Sequence, residues 1–178
     1  MLTNSDSQFG LVSKALHWVI AIGVLGLFGV GLWMVDLTYY DSWYRTAPYY
    51  HKSVGVIVGG LMLARLLWMI KSGKPKALVS HQPWETLLSK ATHLLIYALV
   101  FSIVISGYLI STADGRGLEV FNWFQIPSLG SLFENQEDLA GEIHEVMAFS
   151  LIGLVALHAV AAIKHHWIDK DETLRRML

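Results

Sequence analysis

Between Glu145 and Lys164 the chain carries no charged side chain. A run of this length and apolarity crosses a bilayer as a helix, because hydrocarbon offers no partner to a free backbone N–H or C=O. Yet the surrounding stretch, GEIHEVMAFSLIGLVALHAVAAIKHHW from Gly141 to Trp167, holds His144 and His158 and ends in His165 and His166. The first two are fourteen residues apart. At ~100° per residue that is roughly 1400°, within ~40° of four full turns, so both imidazoles share one helix face. Along the axis they are about 21 Å apart, one near each side of a bilayer. Two stacked haems, one per leaflet, need such a helix.

Of the 178 residues, 54% are hydrophobic and 15% charged, which predicts a small integral membrane protein of one domain. The expected class is an all-α transmembrane bundle of four helices. The spans are expected at about 14–35, 51–70, 90–112 and 142–164. A polar tail precedes the first, and it is not expected to be a signal peptide. Tyr39, Tyr40, Trp43 and Tyr44 form an interfacial belt between the first two spans. The connection Ala113–Ala140 is expected to be a long loop or a short interfacial helix, with an aromatic patch of Phe121, Trp123 and Phe124. The chain has no cysteine, which excludes thiolate-held iron–sulfur clusters, covalent c-type haem and disulfides.

Lysine and arginine set the orientation. Lys14, Lys71, Lys74, Lys76, Lys90, Lys164, Lys170, Arg175 and Arg176 collect on the side of the termini and the 71–90 loop, with Arg65 close by. The other side has only Arg45, Lys52 and Arg116. Both termini are therefore expected in the cytoplasm. Membrane lipid and no nucleic acid is the expected surrounding.

Depth sorts the histidines. At ~1.5 Å per residue, His17, His93 and His158 fall roughly 8–12 Å to the inner side, and His51 and His144 roughly 13–15 Å to the outer side. The outer tier has one available pair. The inner tier has three candidates for two places, with His158 fixed by sharing a face with His144, and spacing leaves His17 and His93 open. A lone membrane histidine often bonds a neighbouring helix. Paired depths on several helices instead point to axial haem ligation by neutral imidazole. Zinc would gather about four ligands at one depth, not pairs roughly 20 Å apart.

Small residues beside the histidines fit a flat, wide cofactor: Gly55 lies one turn from His51, Gly31 fourteen residues after His17, and Gly107 fourteen after His93. Arg65, fourteen residues past His51, is expected to meet a haem propionate. His165 continues the His158 face toward the surface, where with Lys74, Lys76 and Arg65 it is expected to line a quinone site and supply protons.

LHWVIAIGVLGLFGVGLWM, HKSVGVIVGGLMLARLLWMI, IHE and LHAVAAIKHHW resemble the bacterial cytochrome b561 family over nearly the whole chain. The resemblance implies two haem b groups, with His17 and His158 on the inner iron and His51 and His144 on the outer. It also implies His93 and His165 near the quinone and inner haem. One family type, superoxide oxidase, passes electrons from superoxide to ubiquinone. Lys52, Arg45 and Arg116 are then the expected cationic residues on the superoxide side, although the outer loops are net acidic. Other members of the wider grouping anchor hydrogenases or dehydrogenases. The alternative expectation is thus an electron conduit for a periplasmic redox protein, docking on the Phe121–Phe124 patch.

Overall fold

The computed structural model describes residues 1–178. Four long helices account for most of the chain: α1 (Leu11–Val35), α2 (Thr46–Ser72), α3 (Pro83–Thr112) and α4 (Gln136–Trp167). Each contains one expected span and extends beyond it, and each is long and apolar enough to cross a membrane. The α3 start is marked locally. Pro83 follows Gln82, whose side chain caps the helix while Glu85 accepts from the Gln82 N–H at 2.9 Å.

The bundle is built from two closely packed pairs, α1 with α2 and α3 with α4, joined mainly by α2 against α3. Helix α4 touches α1 little. Only 17 of 178 residues are buried, so most of the apolar surface faces outward. Ile22, Ile105, Val146 and Val160 are all more than half exposed, which only a lipid exterior accommodates. The small core of Ile20, Val58, Met62, Val100 and Leu151 draws on every helix. Leu151 lies midway between His144 and His158, so this apolar plug sits between the two histidine tiers. Gly59 lets α3 approach α2, since a Cβ there would lie 3.0 Å from Val104.

One end gathers the tail, the α2–α3 loop and the C-terminus. Asn4 receives an N–H bond from Gly10 and a hydroxyl bond from Ser13, and itself donates to Ser72 Oγ and the Gly73 carbonyl. Trp18 Nε1 donates to the Met177 carbonyl, in the 3₁₀ turn Arg175–Met177 that ends the chain. The polar tail is therefore folded onto the bundle.

The opposite end refines one expectation. The α3–α4 connection is a long loop and not an interfacial helix, and it contains a β-hairpin. Strands β1 (Leu118–Val120) and β2 (Phe124–Ile126) pair antiparallel, with Val120 opposite Phe124. Phe121 and Asn122 both take positive φ, as a type I′ turn requires, and Trp123 N–H donates to the Val120 carbonyl. Leu118 and Val120 are buried, and β1 packs on α2. The buried Ser53 hydroxyl accepts the Phe121 N–H at 3.2 Å, one helix turn's reach from His51.

That hydroxyl is the buried polar tie between hairpin and bundle; at the surface the Tyr49 hydroxyl also donates to Asn122 Oδ1 at 3.1 Å. Ser53→Ala leaves a buried N–H unmatched, at about 1–3 kcal/mol. Trypsin cleavage after Arg116 should accelerate in this variant, and an unchanged rate would show that the hairpin is held without the Ser53 hydroxyl, by Leu118, Val120 and the Tyr49–Asn122 bond.

Candidate haem sites

At the outer tier, α2 presents His51 and α4 presents His144, with ring centres 6.3 Å apart. At the inner tier, α1 presents His17 and α4 presents His158, at 6.4 Å. The helix-face reading of α4 thus holds: its two histidines meet partners from the α1–α2 pair across the seam where α4 stands off.

These separations test the donor set. A metal about 2 Å from each of two opposed imidazole nitrogens places the ring centres roughly 6 Å apart. Both pairs fit. His93 also reaches His158, but at 5.2 Å and nearly edge-on, at 83°. Its Nδ1–H donates to the Ser89 carbonyl one turn back at 2.6 Å. All three inner histidines expected from depth therefore come together; both partner rings are steeply inclined to His158, and His93 is the nearer.

The surroundings of the outer pair suit ligation. His144 Nδ1 lies 3.0 Å from the Ile103 carbonyl and 3.0 Å from Ser106 Oγ, and Ser106 itself donates to the same carbonyl. An Nδ1–H fixed to a carbonyl leaves Nε2 as the lone-pair donor, the usual arrangement of a metal-ligating imidazole. His51 Nδ1 is buried with no hydrogen-bond partner. A Cβ at Gly31 would come within 3.4 Å of His51 Cε1, and one at Gly107 within 3.2 Å of His144 Cε1. Nothing stands within 4 Å of a Cβ built at Gly55. The three glycines picked from spacing thus flank the outer pair or leave space beside it. Ser106 was missed by sequence reasoning, since a membrane serine has many roles; its place one residue before Gly107 was the available signal.

Arg65 lies at the inner tier, its guanidinium 5.9 Å from the Tyr97 ring centre. Its Nε is buried without a hydrogen-bond partner, so a donor remains for an anionic group. Lys74 is exposed in the α2–α3 loop, within electrostatic reach of His93. Lys76 is engaged elsewhere, with Asp6 at 2.6 Å. His165 turns toward acidic groups, 2.7 Å from Asp169 and 3.5 Å from Asp171.

On the outer surface Arg116 is bound to Asp114, with Nε 2.6 Å from Oδ2. That hydrogen bond holds the Asp114 carboxyl below the usual carboxylate range. Lys52 lies in reach of the same carboxylate, and Arg45, at the start of α2, makes no ion pair. The three cations expected to act together are thus unequal: one is matched by a carboxylate, one shares its field, and one is free.

Comparison with known proteins agrees with this architecture. The family described as Prokaryotic cytochrome b561 matches residues 8–178. "Cytochrome b561 homolog 2" of Escherichia coli (strain K12) is 47% identical over 176 residues, covering 99% of this chain and 94% of that protein. "Cytochrome b561 homolog 1" of the same organism is 24% identical over 172 residues, 97% of each chain. A Yersinia pestis protein named "Probable superoxide oxidase CybB" is 24% identical over 172 residues, 96% of each. With four membrane-length helices and opposed histidines in place, the chain belongs to the prokaryotic cytochrome b561 family, as a multi-pass bacterial membrane protein of the b-type, haem-dependent electron-transfer class.

Proposed function

We propose that this protein carries electrons across the bacterial inner membrane, from a donor at the hairpin end to a quinone at the end bearing both termini. The observation that carries the reading is the matched spacing of the two histidine pairs, 6.3 and 6.4 Å, on one shared helix. His51 and His144 hold the outer haem b, and His17 and His158 the inner one. When bound, each haem supplies a one-electron iron couple that the side chains themselves lack. Ile103 and Ser106 orient His144, Arg65 pairs with a propionate, and Gly31 and Gly107 keep the ring edges clear. His93 stands beside the inner pair as a polar neighbour, and with Lys74 and His165 lies toward the quinone end. The excess of Lys and Arg on that end supports its placement in the cytoplasm.

Superoxide is the proposed donor and ubiquinone the proposed acceptor, supported by the likeness to the Yersinia pestis protein. The balance is two superoxide anions oxidised to two O₂, with one quinone taking two electrons and two protons to give quinol. Arg45 and Lys52 supply the attraction for the anion, while Asp114 offsets Arg116. The exposed Trp123 and Phe124 on the hairpin favour the second reading, a conduit that docks a periplasmic redox protein.

Purified protein should contain two haem b per chain by pyridine haemochrome assay. His51→Ala or His144→Ala should lose one and keep the other, whereas His93→Ala should keep both. Loss of a haem from His93→Ala, with none from His17→Ala, would reverse the inner assignment. Mixed with enzymatically generated superoxide and ubiquinone, the protein should show rapid haem reduction and one quinol per two superoxide. Reduction seen only after adding a periplasmic fraction would favour the conduit.

The surface charges make a separate expectation. Asp114→Ala frees Arg116 and should raise the superoxide rate about two- to tenfold at low salt, with the gain shrinking as ionic strength rises. Arg116→Ala should change the rate less than Arg45→Ala does. Equal losses from both would show that the ion pair leaves Arg116 available.

A further inference from the structure

A third group of histidine and acidic side chains lies outside the haem sites. His81 comes from the α2–α3 loop, His165 from the last turn of α4, and Asp171 from the segment beyond it. Asp171 Oδ2 lies 2.9 Å from His81 Nε2 and 3.5 Å from His165 Nδ1. The three donor atoms all lie within 4.8 Å of one another. The side chains are 17%, 14% and 6% exposed, so the group is sheltered at the end of the bundle.

These distances suit an ion. Four ligands about 2.0–2.1 Å from a tetrahedral Zn²⁺ lie roughly 3.3–3.4 Å from one another. The two measured edges bracket that value. Two imidazoles and one carboxylate are a borderline donor set, right for Zn²⁺ and poor for Mg²⁺ or Ca²⁺, which prefer oxygen. The outer contacts also suit a ligating carboxylate. Thr173 N–H donates to Asp171 Oδ1 at 2.8 Å, holding the carboxylate with Oδ2 turned to the histidines.

A neighbouring acidic group shows the contrast. Glu85, Asp169 and His165 also converge, but Lys164 Nζ lies 3.2 Å from Glu85 and 2.7 Å from Asp169, so a side-chain cation already serves that cluster. No lysine or arginine reaches Asp171, whose ion-pair partners are His81 and His165 alone. The two imidazole rings are 4.7 Å apart and tilted by 35°.

We propose that His81, His165 and Asp171 form a Zn²⁺ site that ties the α2–α3 loop to the end of α4 and the C-terminal segment, with water completing the coordination. The site stands apart from haem ligation: His165 is seven residues past His158, roughly 10 Å along α4. Sequence reasoning overlooked His81 and Asp171 because ninety residues separate them in the chain.

The test uses full-length, haem-loaded protein without a polyhistidine tag, stripped with a chelator and titrated with ZnCl₂. One zinc per chain should survive gel filtration, a large excess of MgCl₂ should not displace it, and the thermal unfolding midpoint should rise. His81→Gln and Asp171→Asn should each weaken binding at least about tenfold with the haem spectrum unchanged, while His166→Gln binds as before. Failure to retain zinc, or binding as tight as wild type in both site variants, overturns the proposal. Should a variant lose its haem spectrum, zinc-edge X-ray absorption of the loaded wild type decides. Two imidazoles in the coordination shell support the site, and one or none overturns it.

Discussion

The opposition of imidazoles across the α4 seam is the constraint on which the rest of the bundle depends. His144 and His158 both belong to α4, and both face the α1–α2 pair. Under the proposed ligation their partners must stay about 6 Å away, centre to centre, for a metal to fit between them. A seam that closed fully would pack better and lose that spacing. The arrangement is therefore a compromise between helix packing and a gap of fixed width. Tight contacts lie within the pairs α1–α2 and α3–α4, which are joined by α2 against α3 and by a thin apolar core.

That distribution explains why so little of the chain is buried. A soluble bundle with this few buried residues would have no driving force to fold. In lipid the outward apolar surface costs nothing to expose, and stability comes from close approach and polar ties. Gly59 against Val104 is such an approach; the Asn4, Ser13 and Trp68 hydrogen bonds at one end are such ties. The hairpin serves the other end. By burying Leu118 and Val120 against α2 it shields the helix turn next to His51, and it exposes Trp123 and Phe124 at the expected interface.

What was legible in the sequence was whatever repeats along a single helix. Fourteen-residue spacings located the shared face of α4, and glycine spacing anticipated the clear space around His51 and His144. Depth arithmetic brought His17, His93 and His158 to one tier and stopped there, because depth says nothing of ring direction. The hairpin was hidden because its turn uses Phe121 and Asn122 at positive φ, where glycine would have been the usual signal. The alternation of Leu118, Glu119 and Val120 was too short to register against the long apolar helices. The His81–Asp171 contact was beyond reach for another reason. It depends on where a loop and a tail fall after the helices have packed, and no local pattern encodes that.

The two tiers are also chemically unequal, and the inequality has a direction. At the outer tier the Ile103 carbonyl accepts the Nδ1–H of His144, which makes the imidazole more basic and favours the oxidised, more positive state of a metal it holds. At the inner tier Arg65 places a half-buried positive charge within reach of His17 and His158. A fixed cation in low dielectric favours the state with the extra electron. Under the proposed ligation both effects act the same way: each raises the relative preference for an electron at the inner pair. A propionate partner would reduce the Arg65 contribution without reversing the one from His144. If the proposed ligation holds, two hydrogen-bonding and charge choices, made on α3 and α2, bias transfer from the hairpin end toward the end that carries the termini.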